Sequence, residues 1–113
     1  MDLTADLNLN STLVALADPT RRAILRRVVE GEARVTELAK PFAMSLAAVS
    51  KHIGVLERAN LVRRRRVGRE HLLSFNPGSL DQASVWVDTQ RALWTTRLDR
   101  LEEILLEEGP TLE

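Results

Sequence analysis

Apolar residues recur three and four positions apart through the first half of the chain, and this spacing predicts helices. A short helix is expected over 10–17, and a second helix is expected to begin at Asp18-Pro19. Aspartate is a favoured N-cap, and proline fits the first helical position because an N–H there would have no helical partner. Gly31 suits the position just after the end of this second helix.

Two more helices are predicted before residue 60. The first is short, covers 35–40 and is interrupted by Pro41. The second begins at Ser45, a good N-cap, and runs to about Ala59. Its core-facing positions follow the spacing i, i+4, i+7 and are Val49, Ile53 and Leu56. A short helix, a turn and a longer helix in this order predict a helix-turn-helix over 35–59.

The segment 61–75 changes from helical to extended character. Two stretches, LVRRRR and EHLLSF, lie on either side of Gly68. Because a glycine between extended stretches is typical of a tight turn, we predict a β-hairpin with its turn at 67–69.

The remaining segment predicts one long helix over 79–108. Ser79 and Gln82 fit a capping box at its start, and Gly109-Pro110 fit its end. About 29 residues make a helix of about 43 Å, which is longer than a core of about 60 residues covers. The apolar stripe therefore predicts a partner helix from a second copy of the chain. The residues assigned to this interface are Trp86, Leu93, Trp94, Leu98, Leu101 and Leu105.

The composition is that of a single globular domain, with 113 residues of which 44% are apolar and 28% charged. The absence of cysteine excludes a disulfide framework, a thiolate nucleophile and a zinc ribbon. No apolar run reaches the ~20 residues that cross a bilayer, and the N-terminus lacks the apolar segment of a signal peptide. We therefore expect one cytoplasmic domain over 1–113 that has no membrane partner.

The formal net charge is zero, yet the charges are segregated along the chain. Residues 1–20 carry −3, from three Asp alone. Residues 21–71 hold thirteen Lys and Arg against five Glu, a net charge of +8, and residues 72–113 hold three Arg against eight carboxylates, a net charge of −5. A cationic centre favours a polyanion-binding segment. A solvated surface whose charges pair internally explains the pattern equally well, so charge alone does not decide.

The order of elements predicts a mainly α domain with a β-hairpin wing, that is, a winged helix-turn-helix. In such domains the second helix of the helix-turn-helix enters the major groove of DNA, and its N-terminal residues meet base edges. The residues predicted to contact DNA from this helix are Ser45, Ala47, Ser50, Lys51 and His52.

Arginines dominate the predicted wing over 61–75. Strand alternation places Arg63 and Arg65 on one face and Arg64 and Arg66 on the other. The wing residues expected to contact double-stranded DNA are Arg64, Arg66 and Arg69, the last at the turn, where it would follow phosphates or enter a minor groove. The alternative is a solvated edge strand that its charges protect from aggregation.

Several segments resemble the ArsR/SmtB family of transcriptional repressors. The stretch LADPTRRAIL at 16–25 is similar to the family's opening signature, and MSLAAVSKHI at 44–53 with VLERANLV at 55–62 resembles its recognition helix and strand entry. VGREHLLSFNP resembles its wing, so the likeness covers about 13–77, and the long tail resembles a subgroup.

The resemblance implies a homodimer whose interface is formed by the first and last helices, over 1–17 and 79–108. The residues assigned to it from the first helix are Leu9, Leu13 and Leu16. Two positions depart from the family pattern, Ala47 where proline is common and Asn60 where glycine is usual. Neither departure removes a DNA-contacting charge.

The best-known members of the family sense metals, but the ligands of their sites are missing from this sequence. The segment that matches their thiolate pair is Arg34-Val35-Thr36, and the predicted last helix contains no histidine. Because borderline metals need imidazole or thiolate ligands, we expect no metal site and no cofactor. His52 and His71 are interpreted as structural or DNA-contacting residues.

The expected function is that of a homodimeric, sequence-specific repressor on a pseudo-palindromic operator. One alternative is a winged-helix module that binds RNA or an acidic protein. Another keeps DNA binding but makes the protein an activator, or a constitutive repressor without effector. An enzyme would need a nucleophile–base pair, paired carboxylates or a phosphate loop, and the sequence assembles none. Trp86 and Trp94 fit a dimer core better than an effector pocket. A small-molecule effector is possible, but the sequence does not identify it.

Arg21 and Arg22 lie in a first helical turn, where the helix dipole disfavours cations. Contacts with phosphates or with carboxylate partners would explain them.

Overall fold

A computed structural model describes residues 3–108 of the chain. Within this range the chain forms five helices and three strands, which are α1 (Leu3–Leu16), α2 (Pro19–Val29), β1 (Ala33–Arg34), α3 (Val35–Ala39), α4 (Leu46–Arg58), β2 (Val62–Val67), β3 (Glu70–Phe75) and α5 (Pro77–Glu108). The chain divides into two compact units, Met1–Ala83 and Ser84–Glu113. The predicted stop at Gly109-Pro110 lies outside the described residues.

Helix α2 begins as its sequence predicts. The Asp18 carboxylate accepts a hydrogen bond from the Arg21 backbone N–H at 3.0 Å, and Pro19 is the first helical residue. Ile24, Leu25 and Val28 are the buried residues of this helix. The cap and the apolar stripe therefore act together to fix where α2 starts and which face it buries.

The predicted helix-turn-helix is confirmed as α3 and α4. Ser45 caps α4, since its hydroxyl oxygen accepts from the Ala48 backbone N–H at 3.1 Å. The predicted core stripe of α4 is completely buried and consists of Val49, Ile53 and Leu56. Asn60 adopts a left-handed backbone with φ of +58°, which ends α4 and turns the chain into the wing.

The wing is an antiparallel hairpin of β2 and β3, as predicted. Its register pairs Val62 with Phe75 at the base and Val67 with Glu70 at the tip. The structure adds a third strand that the sequence did not predict, because β1 pairs with the other edge of β3 through Ala33 and Leu73. Two residues are too short a stretch to show strand alternation.

Two predicted helix starts are wrong. Helix α1 begins at Leu3 rather than near residue 10. Its fully buried residues are the small Thr12 and Ala15, and of the leucines that suggested the shorter helix Leu16 packs against the core. Helix α5 begins at Pro77, which places Ser79 inside the first turn instead of at a capping box.

The core of the first unit is built from helices and wing together. Its buried apolar residues are Ala15, Ile24, Leu25, Val28, Ala33, Val35, Leu38, Val49, Ile53, Leu56, Ala59, Leu61, Val62 and Leu73. Leu80 at the start of α5 packs against this cluster, and Ala83 is buried. None of the helices among residues 3–108 has the length and apolar content that a bilayer crossing requires.

Candidate nucleic-acid interface

The outward face of α4 lies opposite its buried stripe. Positions 47, 51, 54 and 58 share this face because they are spaced i, i+4, i+7 and i+11. Ala47, Lys51 and Arg58 are exposed there, and Gly54 lies between them. Sequence reasoning named the first two and missed Arg58 and Gly54, although continuing the same helical count along α4 would have found them.

Ser45 contributes to this surface through the backbone of α4. Its hydroxyl oxygen accepts the Ala48 N–H, and the side chain is exposed at the helix start. A hydroxyl that accepts one hydrogen bond still has its own proton to donate. Ser45 therefore both fixes the first turn of α4 and leaves a donor for a ligand.

A cleft of about 370 Å³ separates the start of α4 from the wing. Leu46 and Ser50, one helical turn apart, form the α4 side, and Arg64 and Arg69 belong to the wing side. Arg34 of β1 also lines this space. The cleft therefore combines three guanidinium groups, one of them paired with the Glu70 carboxylate, with two hydroxyls, two apolar side chains and an imidazole.

His52 faces away from this cleft, toward the start of α2. Its Nδ1 lies 3.3 Å from Nη1 of Arg21 and 3.8 Å from a carboxylate oxygen of Asp18, and its side chain is only 24% exposed. Since arginine always donates, Nδ1 accepts that hydrogen bond when the imidazole is neutral. His52 is thus held inside the protein by two neighbours, unlike the exposed Lys51 beside it.

Arg64 of the wing is bound to α4 rather than directed freely at solvent. Its Nη2 lies 2.6 Å from Oε1 of Glu57, and its Nε donates to the same oxygen at 3.1 Å. Both side chains are about two-thirds buried, with exposures of 28% and 32%. This ion pair ties β2 to α4, in addition to the apolar core that both elements share.

Two further arginine–carboxylate pairs hold the sheet. Arg65 binds Glu32 through two hydrogen bonds of 2.9 and 2.7 Å. The hydrogen bond from Arg65 lowers the pKa of Glu32 below its ordinary value, and the same bond raises the pKa of Arg65. Arg34 pairs with Glu70 across the β1–β3 edge at 3.0 Å. Arg34, Arg64 and Arg65 are therefore held by carboxylates of the same chain, and strand alternation alone did not reveal this pairing.

The remaining cations of the surface are open to a ligand. Arg66 donates from Nε to the Gly68 carbonyl oxygen at 2.9 Å, which holds it beside the turn. Four other side chains form no hydrogen bond or ion pair with any of the residues 3–108, and these are Lys51, Arg58, Arg63 and Arg69. The first two lie on the exposed face of α4 and the others on the wing, and Arg69 is the one of the four that lines the cleft.

Arg21 and Arg22 have a role that the sequence did not predict. Arg21 donates from Nε to the Ala15 carbonyl at 2.8 Å and from Nη2 to the Val14 carbonyl at 2.9 Å. Arg22 donates to the Leu16 carbonyl at 2.7 Å. These carbonyls belong to the last turn of α1, where i+4 N–H partners are missing, although the Val14 carbonyl also accepts the Ala17 backbone N–H at 3.1 Å. The two arginines cap α1, and neither forms a salt bridge with a carboxylate among residues 3–108, while a phosphate contact stays a prediction.

The apolar residues assigned to a subunit interface are mostly exposed. In the second unit every large apolar side chain of α5 up to residue 107 is at least 41% exposed, and Trp94 reaches 61%. The other assigned residues of this set are Trp86, Leu93, Leu98, Leu101 and Leu105. On α1, Leu13 is exposed and Leu9 half-buried, whereas Leu16 packs against the core of its own chain.

The two histidines lie apart, His52 on α4 and His71 on β3. Among residues 3–108 no group of three or more His, Asp and Glu is arranged to hold a metal ion. His71 lies on β3 opposite Arg66, and its Nδ1 is buried without a hydrogen-bond partner in the described part of the chain. Its position is on the wing, as the sequence indicated.

Comparison with known proteins identifies the domain. Residues 16–65 match the model of a helix-turn-helix domain family, which covers the α2–α4 segment and most of β2. The chain is 39% identical over 95 residues to the HTH-type transcriptional regulator Rv2034 of Mycobacterium tuberculosis, covering 84% of this chain and 86% of that protein. It is 29% identical over 79 residues to the transcriptional repressor SdpR of Bacillus subtilis, covering 70% of this chain and 88% of SdpR.

Solved structures agree with the fold. The ArsR family transcriptional regulator RHA00566 superposes with a TM-score of 0.77 at 40% identity, covering 80% of this chain and 93% of that chain. The homodimeric winged helix-turn-helix DNA-binding domain Mb0332 of Mycobacterium bovis gives a TM-score of 0.63 at 27% identity, covering 82% of this chain and 90% of that one. The chain therefore belongs to the ArsR family of winged helix-turn-helix transcriptional regulators.

Proposed function

We propose that this regulator is a homodimeric repressor that binds a pseudo-palindromic operator in double-stranded DNA. The observation that carries the proposal is the cleft between α4 and the wing, which the unpaired Arg69 lines, together with the unpaired Lys51 on the exposed face of α4. In such an arrangement the helix can enter the major groove of DNA while the basic wing contacts the neighbouring phosphates. SdpR, a relative named as a repressor, supports the direction of regulation.

Base contacts are assigned to the first turns of α4. Ala47 is exposed and small, and Ser50 brings a hydroxyl to the cleft. Ser45, at the tip of the helix, supplies a further hydroxyl. A hydroxyl donates to or accepts from several base edges, so Ser50 would tune operator sequence rather than provide most of the affinity.

Phosphate contacts are assigned to the cations without a protein partner. These are Lys51 and Arg58 on α4 and Arg69 on the wing, with Arg66 contributing its free Nη atoms, whereas Arg63 lies on the strand face opposite the cleft. Arg64 is assigned a positioning role because Glu57 already binds it. His52 would act through the hydrogen bond that connects α4 to Arg21.

Dimer formation would cover the apolar face of α5. Val87, Trp94 and Leu101 are seven residues apart, and Leu98 and Leu105 each follow four residues after one of them. This is the spacing of a coiled-coil seam, in which two helices bury what each exposes alone. Mb0332, a homodimeric relative in structure, supports the same assembly. Two recognition helices would then enter successive major grooves about one helical turn, ~34 Å, apart.

Selection of bound duplexes from a random DNA pool tests the proposal. We expect enrichment of an inverted repeat, and light scattering should give two chains per bound duplex. Competition with double-stranded RNA should have little effect, because the narrow major groove of A-form RNA excludes a helix. Enrichment of no DNA sequence, or equal competition by RNA, would instead favour a general nucleic-acid or protein-binding module.

Substitution of single arginines tests the residue roles. Arg69→Ala should weaken binding to every duplex and reduce the log–log salt slope by about 2 per dimer, since each subunit would lose one phosphate contact. Arg65→Ala is the matched control on the neighbouring strand, because Arg65 is bound by Glu32, and it should leave the slope near that of the wild type. Ser50→Ala should change the preferred sequence with little change in slope. Equal effects of the two arginine substitutions would contradict the assignment.

A further inference from the structure

The start of α4 exposes apolar side chains in the middle of a cationic surface. Leu46 is 52% exposed and Met44, just before the helix, is 37% exposed. Ala47 follows and is also exposed. We call Met44, Leu46 and Ala47 the apolar tip. Exposed apolar groups are common on proteins, but these stand where a winged helix-turn-helix meets base edges.

We propose that the apolar tip, and Leu46 above all, contacts the 5-methyl group of a thymine in each operator half-site. This inference rests on the proposed DNA binding and specifies what part of the sequence is recognised. In the major groove thymine presents the only methyl group among the four bases, whereas the edges of the other bases are dominated by hydrogen-bond donors and acceptors. An aliphatic side chain pressed against those polar groups would leave them unsatisfied.

The cleft supplies the reason why Leu46 would meet DNA rather than water. Leu46 and Ser50 lie one turn apart on the α4 side of the cleft, and Arg69 lies on the wing side. A phosphate chain held between Arg69 and the unpaired Lys51 would keep the adjacent base edges at the start of α4. Leu46 would then sit at the groove edge of one strand.

Charge complementarity distinguishes DNA from an apolar protein partner at this place. The apolar tip has only three residues, and its neighbours Ser45, Ser50 and Lys51 are polar. A protein-binding patch would need a larger continuous apolar area. A small apolar contact beside the arginines of the cleft fits DNA, which offers both phosphates and the methyl groups of thymine.

Replacement of thymine by deoxyuridine tests the proposal, because it removes only the methyl group. A duplex is first selected from a random pool, and each thymine of one half-site is then replaced in turn. Binding should weaken about four-fold at the position facing Leu46, as expected from losing one buried methyl group. Replacement at thymines outside that position should change binding less than two-fold.

A variant links the methyl effect to the residue. Leu46→Ala should bind the selected duplex more weakly and lose its response to deoxyuridine at the sensitive position, whereas Leu46→Met should keep part of that response. Leu46 is half-exposed, so both variants should retain wild-type helicity by circular dichroism. Val29→Ala is the matched control, since Val29 is another apolar residue, 53% exposed, at the end of α2. It should keep the full deoxyuridine response.

The outcomes separate this inference from the function on which it rests. If no duplex is enriched, the proposed DNA binding fails and the inference fails with it. If a duplex is enriched but deoxyuridine changes binding at no position, DNA binding stands and the methyl contact is wrong. A deoxyuridine effect that Leu46→Ala and Val29→Ala both retain would also overturn the assignment to Leu46.

Discussion

Two helices of this protein carry similar apolar stripes and use them differently. In α4, Val49, Ile53 and Leu56 have no exposed surface at all. In the second unit, Trp94 and Leu101 of α5 are 61% and 52% exposed. The spacing of apolar residues does not separate the two cases, because both stripes repeat every three or four residues.

The difference shows where each helix finds its partner. Helix α4 lies among α1, α2, α3 and β2 of its own chain, which together cover its apolar face. The second unit holds no other described helix or strand, so α5 has no partner there that could cover its stripe. The first unit thus has a core of its own, and the second is completed, in our proposal, by another copy.

Removal of the second unit should have the largest effect on function. A chain that ends at Ala83 keeps the whole core cluster and should fold as a monomer by sedimentation and circular dichroism. Its operator affinity should fall about 100-fold or more, because two linked half-site contacts become one. A truncated chain that still binds as a dimer would place the subunit interface in the first unit.

Leucine substitutions in the two stripes should distinguish the folding stability of one chain from the stability that association of two chains adds. Leu56→Ala should lower the free energy of unfolding by about 2–5 kcal/mol, since it opens a cavity in a closed core. Leu101→Ala should instead lower stability mainly at low protein concentration, because it weakens association. Urea unfolding of both variants at two concentrations measures this. If both variants lost the same stability at both protein concentrations, the stripe of α5 would not be covered by association, and the comparison of α4 with α5 would be wrong.

Glu57→Gln should have an intermediate effect on the first unit. It removes the charge that binds Arg64 and should cost roughly 1 kcal/mol, as expected for a partly buried pair. Because the wing is then held less firmly, operator affinity should fall as well. A double-mutant cycle with Arg64→Gln isolates the pair, and a coupling near zero would show that this contact does not position the wing.

The smallest effect on stability is expected from the protonation of Asp18 by acid. It should be negligible at physiological pH and should grow in strong acid. The pKa of Asp18 is lowered from its ordinary value of 3.8, first by the hydrogen bond from the Arg21 backbone N–H and also by the charges of His52 and Arg21. Because the pKa is lower in the folded state, the ionised Asp18 carboxylate stabilises the fold fully above pH 3.8. This stabilisation is lost as the pH falls through the lowered pKa.

Asp18→Asn tests this pH dependence while keeping a residue that caps helices well. The variant should have a lower melting temperature than the wild type near neutral pH. The difference in melting temperature should shrink when the pH falls below 3.8, the ordinary pKa of Asp18. A difference that stays constant down to the lowest pH would show that the charge of Asp18 has no part in capping α2.

Much of the fold could be predicted because local signals and tertiary packing agree. Asp18-Pro19, Ser45 and the apolar stripe of α4 each mark an element that the structure contains. The hairpin follows from the extended stretches around Gly68, whose φ is +63°. In each case the residue that forms the local structure is also the residue that gives the signal.

The failures concern contacts between residues distant in sequence. Strand β1 exists because β3 offers an edge to Ala33, and no local pattern reports that. The partners of Arg21 and Arg64 depend on where α1 and α4 lie in space. Arginine looks alike in sequence whether it caps a helix, binds a carboxylate or is free for a phosphate, so the candidate site could be predicted only in outline.

The salt dependence of operator binding tests the central claim most directly, namely that unpaired cations of α4 and the wing hold duplex DNA in a dimer. With three or four phosphates neutralised by each subunit, the plot of log affinity against log salt concentration should have a slope of about −5 to −7. Affinity that barely changes between low and high salt would contradict the account.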